Sequence, residues 1–215
     1  VRKLVASNTV DLIVVDSVAA LTSAAELDAD AADQFVGIQA RMLSQNLKTI
    51  APILGLSKTA LVFINQTRMK IGVMYGNPET TPGGMALKFY ASVRMRIAQR
   101  GMLGSKGKEY GIRSRVKVVK NKMASPFQEA EFDIEWGKGI SREGDVLDAA
   151  IATGVVVQSG GYFRHNDELI GHGKEAAKKF LAEHPGLMEE LRSLVLGQQQ
   201  EIERMDEMQE AEESE

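Results

Sequence analysis

The chain has 215 residues, 44% of them apolar, with no cysteine and a formal net charge of −3. That is enough for one medium domain plus a small one, and it excludes disulfides and thiolate metal sites. No run approaches the roughly 18 to 20 apolar residues of a membrane span, and no basic segment followed by an apolar stretch opens the chain as a signal peptide would.

The charge is unevenly spread. Residues 198 to 215 hold eight acidic residues and one base, and that −7 leaves the preceding 197 residues at +4. Such a tail is expected to be disordered and solubilising. His165, His172 and His184 stand too far apart in sequence to suggest a metal cluster.

In chain order, Leu12 to Val15 is a β-branched run ending in Asp16, and Ala60 to Ile64 ends in Asn65-Gln66. Both read as strands buried on two faces, the pattern of a parallel sheet with helices on either side and ligands beyond the strands' carboxyl ends. Between them, Glu26 to Val36 is a polar, alanine-rich loop. Phe35, Ile38, Met42, Leu43, Leu47, Ile50 and Leu54 then recur at helical spacing and predict a crossover helix of about six turns, kinked or shortened by Pro52. The first half is therefore a βαβ unit.

Asn65 to Gly84 combines Arg68 and Lys70 with Gly72 and Gly76 and with Met69, Ile71, Val73, Met74 and Tyr75. A Gly-, Pro-, Asn- and Thr-rich loop should be polar, so its apolar side chains call for a partner that takes them up. Unstacked bases are such a partner, with the cations on phosphates. The simpler alternative is a surface loop whose apolar side chains fold back onto the body.

After this loop, Ala86 to Tyr90 predicts a short helix. Ser92 to Ile97, Arg115 to Lys120 and Ala130 to Trp136 alternate as strands and predict an antiparallel extension of the sheet, with Gly101 to Gly111 as a mobile hairpin turn. A boundary at Gly139 to Glu143 opens a C-terminal unit. It comprises a helix over Gly144 to Thr153, a small hairpin through Gly160-Gly161-Tyr162, and helices over Lys174 to Glu183 and Leu187 to Leu196.

The run Gly101 to Glu109 is not a phosphate-binding loop. It has five residues between Gly101 and Gly107-Lys108, ends in Glu109 instead of Ser or Thr, and lies between antiparallel strands.

The Asn65 to Gly84 run closely resembles the second DNA-binding loop of the bacterial RecA recombinase family. The match continues from Asp16-Ser17-Val18-Ala19-Ala20-Leu21 through Lys120-Asn121-Lys122, spans Val10 to Gly139, and extends more loosely through the C-terminal unit. The fold it implies is α/β. Residues 1–140 form a partial P-loop ATPase core with a mixed parallel and antiparallel sheet flanked by helices, 141–197 a small α+β C-terminal domain, and 198–215 an acidic tail that tempers DNA binding.

As residues alone, a strand ending in Asp16 reads as a cap for the next turn. The resemblance implies instead that Asp16 is the Walker B acid, holding Mg²⁺ through water beside Ser17. It places Gln66 where ATP state is coupled to the DNA loop, and makes Lys120 and Lys122 cationic fingers that reach the ATP of the adjacent subunit, with Trp136 near the adenine. The first DNA loop supplies Gln34, Val36, Gly37, Arg41, Ser44 and Lys48. The second supplies Met69, Lys70, Ile71, Gly72, Val73, Thr80, Gly83, Gly84 and Met85, where Met85 replaces a common asparagine. Lys88, Phe89 and Arg94 are the implied subunit contacts.

The resemblance further implies ATP and Mg²⁺ as cofactors. Its partners are single-stranded DNA, a homologous duplex, other copies of the chain in a helical filament, and the LexA repressor. The setting is DNA repair and the SOS response in the bacterial cytoplasm, with no membrane partner. Because the chain begins at Val1 and lacks a Walker A loop, it is expected to be the C-terminal portion of a longer recombinase and to hydrolyse little ATP alone. Two alternatives are a noncatalytic DNA-binding or filament-modulating module and a hexameric helicase. The continuous match at the DNA loops argues against the helicase.

Overall fold

The computed structural model describes residues 1–23, 37–69, 71–72, 74–76 and 78–212. Gln34, Val36, Lys70 and Val73, and most of the first loop, lie outside them. The chain divides into two compact units, one of residues 1–94 with 120–124, the other of residues 95–119 with 125–215.

The first unit contains α1 (Arg2–Ser7), β1 (Leu12–Asp16), a 3₁₀ turn (Val18–Ala20), α2 (Ile38–Leu56), β2 (Ala60–Ile64), β3 (Arg68–Met69), β4 (Glu79–Thr80) and α3 (Ala86–Tyr90). β1 and β2 pair in parallel, from Leu12 opposite Ala60 to Asp16 opposite Ile64, as a βαβ unit requires. α2 buries Leu43, Leu47 and Ile50, the stripe its sequence spacing sets. Pro52 does not end the helix, which runs one more turn before the Ser57 N–H bonds the carbonyls of Ile53 and Leu54.

The expectation of strands buried on both faces is corrected. Burial alternates along β1 and β2, and Leu12, Val14, Val62 and Ile64 are exposed. Val15 and Phe63 instead line a recess of about 260 Å³ with Val1 and Arg2 and with Met42, Leu43, Leu47 and Ile50 of α2, so only this face of the ladder is packed by helices.

The second unit is built on β5 (Val93–Leu103), β6 (Gly111–Asn121), β7 (Glu129–Glu135) and β8 (Gly139–Ile140), a sheet in that order. Among the described residues its strands and the β1–β2 pair form separate hydrogen-bonded ladders. The Gly101 to Glu109 run is a hairpin turn. The Tyr110 N–H bonds the Leu103 carbonyl, and the Glu109 carboxylate accepts the Gly107 N–H at 3.0 Å, which holds that carboxyl below its usual range.

Next come α4 (Arg142–Ala152), the three-stranded sheet β9 (Val157–Ser159), β10 (Tyr162–His165) and β11 (Glu168–His172), then α5 (Lys174–Glu183) and α6 (Pro185–Glu212). Their core is Leu147, Ala150, Val156, Phe163, Ile170, Ala177, Leu181, Leu191 and Val195. Where the charge of the tail suggested disorder, α6 continues through residue 212. The segment after Gly197 is rich in Gln, Glu and Met and has neither glycine nor proline, a composition of high helix propensity.

Candidate nucleic-acid interface and nucleotide-facing residues

α2 organises the interface. Its buried stripe faces β1 and β2, which leaves Arg41, Ser44 and Lys48 together on the exposed side, three and four residues apart. Gly37 caps the helix in the left-handed region, and its carbonyl accepts the Arg41 N–H at 3.0 Å. Gln39, whose role sequence reading missed, faces inward and donates to the carbonyls of Val18 at 2.9 Å and Leu21 at 3.0 Å, tying α2 to the segment after β1.

The second loop is seated on the same helix. A Cβ at Gly83 would lie 2.5 Å from Leu43 Cδ1 and 2.9 Å from Val18 Cγ1, and one at Gly84 would lie 2.8 Å from Ala40 Cβ. Gly83 is buried where the loop's exit meets α2. Both glycines let the loop's exit approach α2 closely, at the level of Arg41 and Ser44. β3 and β4 pair antiparallel, Arg68 opposite Thr80 and Met69 opposite Glu79, and close the loop's neck.

Beyond that neck the apolar side chains do not fold back. Ile71 is 98% exposed, Met74 87% and Tyr75 91%. Met69, Gly72, Thr80 and Met85 are exposed as well, and Met85 precedes α3 without a side-chain capping bond, where an asparagine could supply one.

Asp16, Ser17 and Gln66, the residues expected at the nucleotide in the first unit, stand at or just beyond strand ends. Asp16 closes β1 and Gln66 lies two residues beyond β2, so the parallel register brings both to the carboxyl end of the ladder. Ser17 leads into the 3₁₀ turn. Asp16 is exposed and in no ion pair with a described residue. Among the described residues no three metal-ligating side chains cluster.

Lys120 does not project freely. Its Nζ donates to the carbonyls of Lys88 at 2.7 Å and Phe89 at 3.0 Å, at the carboxyl end of α3. Desolvation, with the nearby charges of Lys122 and Arg94, pushes its ammonium below the usual lysine value. Lys122 is exposed, and its N–H bonds the Ser92 carbonyl at 3.0 Å. Phe89 is exposed, while Lys88 and Arg94 are half-buried.

Trp136, 56% exposed, lies in the second unit in the turn joining β7 to β8, with its N–H on the Tyr110 carbonyl. Tyr110, Glu135, Trp136, Lys138 and Glu175 line a recess of about 270 Å³. Beneath it Lys178, only 6% exposed, places Nζ 2.6 Å from Glu135 and 3.3 Å from Glu175. Lys174 bridges Asp148 and Asp133, and Arg113 binds Asp133, Asp148 and Glu131. Lys174 and Lys178 are thus ion-pair partners of carboxylates, a pairing that oppositely charged residues up to 43 positions apart do not announce in sequence.

A family model described as the RecA N-terminal domain matches residues 1–141, and one described as the RecA C-terminal domain matches residues 144–199. The chain is 51% identical over 192 residues to Protein RecA of Zymomonas mobilis, covering 89% of this chain and 54% of that protein. It is 54% identical over 194 residues to Protein RecA 1 of Myxococcus xanthus, covering 90% and 57%. With Protein RecA of Thermus aquaticus it shares 50% identity over 197 residues, covering 91% and 58%. The chain spans little more than half the length of these relatives.

Proposed function

Because the chain belongs to the RecA family, we propose that it is the DNA-gripping, neighbour-completing part of an ATP-dependent recombinase. In that role the protein coats single-stranded DNA as a helical filament, pairs it with a homologous duplex and exchanges strands, serving recombinational repair and the SOS response in the bacterial cytoplasm, with the LexA repressor as a further partner.

One observation carries the reading. Ile71, Met74 and Tyr75 are held in water on a loop whose neck is paired and whose exit is wedged onto the helix bearing Arg41, Ser44 and Lys48. Burying apolar tips against base faces recovers the cost of exposing them, while cations beside them take phosphates, a combination that favours unpaired strands.

In this reading Mg²⁺-ATP supplies the phosphoryl group and its charge. Asp16 orients the metal's water shell, and Gln66, next to the loop's first residues, carries nucleotide state into the loop. Lys120 and Lys122 place positive charge on the phosphates of the adjacent copy, and Lys88, Phe89 and Arg94 form part of the subunit contact. Lys120 must exchange the α3 carbonyls for phosphate to do so. Trp136 offers a flat face to the base.

The test is binding of labelled oligonucleotides to the chain at low salt, unpaired against duplex. A preference for unpaired DNA that falls as salt rises is expected. Equal affinity for both forms contradicts the proposal.

A further inference from the structure

We infer that Asn65 is a positioning residue that clasps the mouth of the second loop and links Gln66 to the loop's exit. Its side-chain amide uses both ends. Oδ1 accepts the Gln66 N–H at 2.9 Å, at the loop's entrance, and Nδ2 donates to the Pro82 carbonyl at 3.0 Å, 17 residues on. Neither bond is a strand-ladder bond, and both lie outside the β3–β4 pairing.

The two anchored ends differ mechanically. Pro82 precedes Gly83, which is buried and lies so close to Leu43 and Val18 that an added Cβ would meet both. Gln66 is exposed at the end of β2 and packs against nothing comparable. A shift of the Gln66 backbone therefore pulls through the Asn65 amide against a fixed exit, and the exposed tip between them has to reorient. Without the clasp the neck keeps a two-residue ladder, and so short a pairing is marginal in water. Asn65 shapes the tip without touching what the tip binds.

This rests on the reading of residues 65–84 as a DNA-binding loop, and the test separates the two. Asn65→Leu keeps the side chain's size and removes both bonds. The expected result is about tenfold weaker binding of unpaired oligonucleotide, faster amide exchange across 67–81, and an unchanged melting temperature. The chain has no cysteine, so Thr67→Cys with Thr81→Cys, at the positions flanking the Arg68–Thr80 pair, can close the neck covalently.

In the Asn65→Leu background, oxidation of that pair should restore affinity and reduction should abolish the rescue. Unchanged affinity in Asn65→Leu, weak binding that the disulfide does not rescue, or a cysteine pair that fails to close in the Asn65 background each overturns the clasp. If Tyr75→Ala leaves the parent's DNA binding intact, the DNA reading falls instead. The clasp is then judged by amide exchange alone.

Discussion

Lys178 and Glu135 meet with Nζ 2.6 Å from Oε1, and both side chains are nearly withdrawn from water. The hydrogen bonds from Lys178 and Lys138 hold the Glu135 carboxyl down to about 2 against an ordinary 4.5. Burial alone would lower the Lys178 ammonium, but Glu135 and Glu175 carry it above its usual value.

A carboxyl depressed in the folded state contributes stability above its unfolded pKa, and that contribution is lost as pH falls from about 4.5 towards about 2. Stability of the parent should therefore fall steeply through this window, by about 3 kcal/mol from this group. Glu135→Gln should be less stable at neutral pH and flatter below pH 4.5. Parallel pH profiles for the two proteins would refute the assignment. Lys178→Met, which strands part of the carboxylate's charge, should cost about 3 kcal/mol near neutrality.

Gly83→Ala should destabilise the first unit by about 2 kcal/mol or more, because the added Cβ meets Leu43 and Val18 at a φ of +87°. Gly72→Ala, with a φ of +84° and open space around it, carries only the backbone strain of about 1 kcal/mol. Denaturant unfolding of the two variants should rank them in that order.

Tyr75→Ala should leave the melting temperature unchanged, since the ring is almost wholly in water. The same change should weaken unpaired-DNA binding about tenfold, the size of one lost base–aromatic stack. A large loss of stability would show instead that Tyr75 packs against the body.

Lys120→Met removes the ammonium from the Lys88 and Phe89 carbonyls, leaving the carboxyl end of α3 without its cation. Amide exchange over residues 86–91 should speed up while the rest of the first unit stays protected. Exchange identical to the parent would show that the contact contributes nothing in solution.

Trp136 is the one tryptophan of the chain, so its emission isolates one proposed contact. Adding Mg²⁺-ATP to the chain assembled on unpaired oligonucleotide should quench or shift that emission. Addition of Mg²⁺ alone should not.

Much of the fold was legible because it follows local period. The α2 stripe of Leu43, Leu47 and Ile50 reports which face is buried, while the alternation within β5 to β7 and the apolar runs ending at Asp16 and Ile64 mark strands. The loop was legible too, since a glycine-rich run carrying Ile71, Met74 and Tyr75 departs from ordinary loop composition. Asn65 was not singled out, because one asparagine at a strand end is common and its Pro82 partner lies 17 residues away. Nor was the burial of Lys178, which reads as one more basic residue on a helix.

The sequence by itself determined the helical and extended segments, the acidic bias of the chain's end and the residue types set against phosphate and base, because each depends on neighbours a few positions apart. The tertiary structure alone decided that Gly83 is a packing residue, that Lys120 rests on α3, and that the C-terminal lysines face carboxylates. Those outcomes depend on which distant groups share a small volume, where desolvation and contact distance set the energy and sequence spacing carries no record of either.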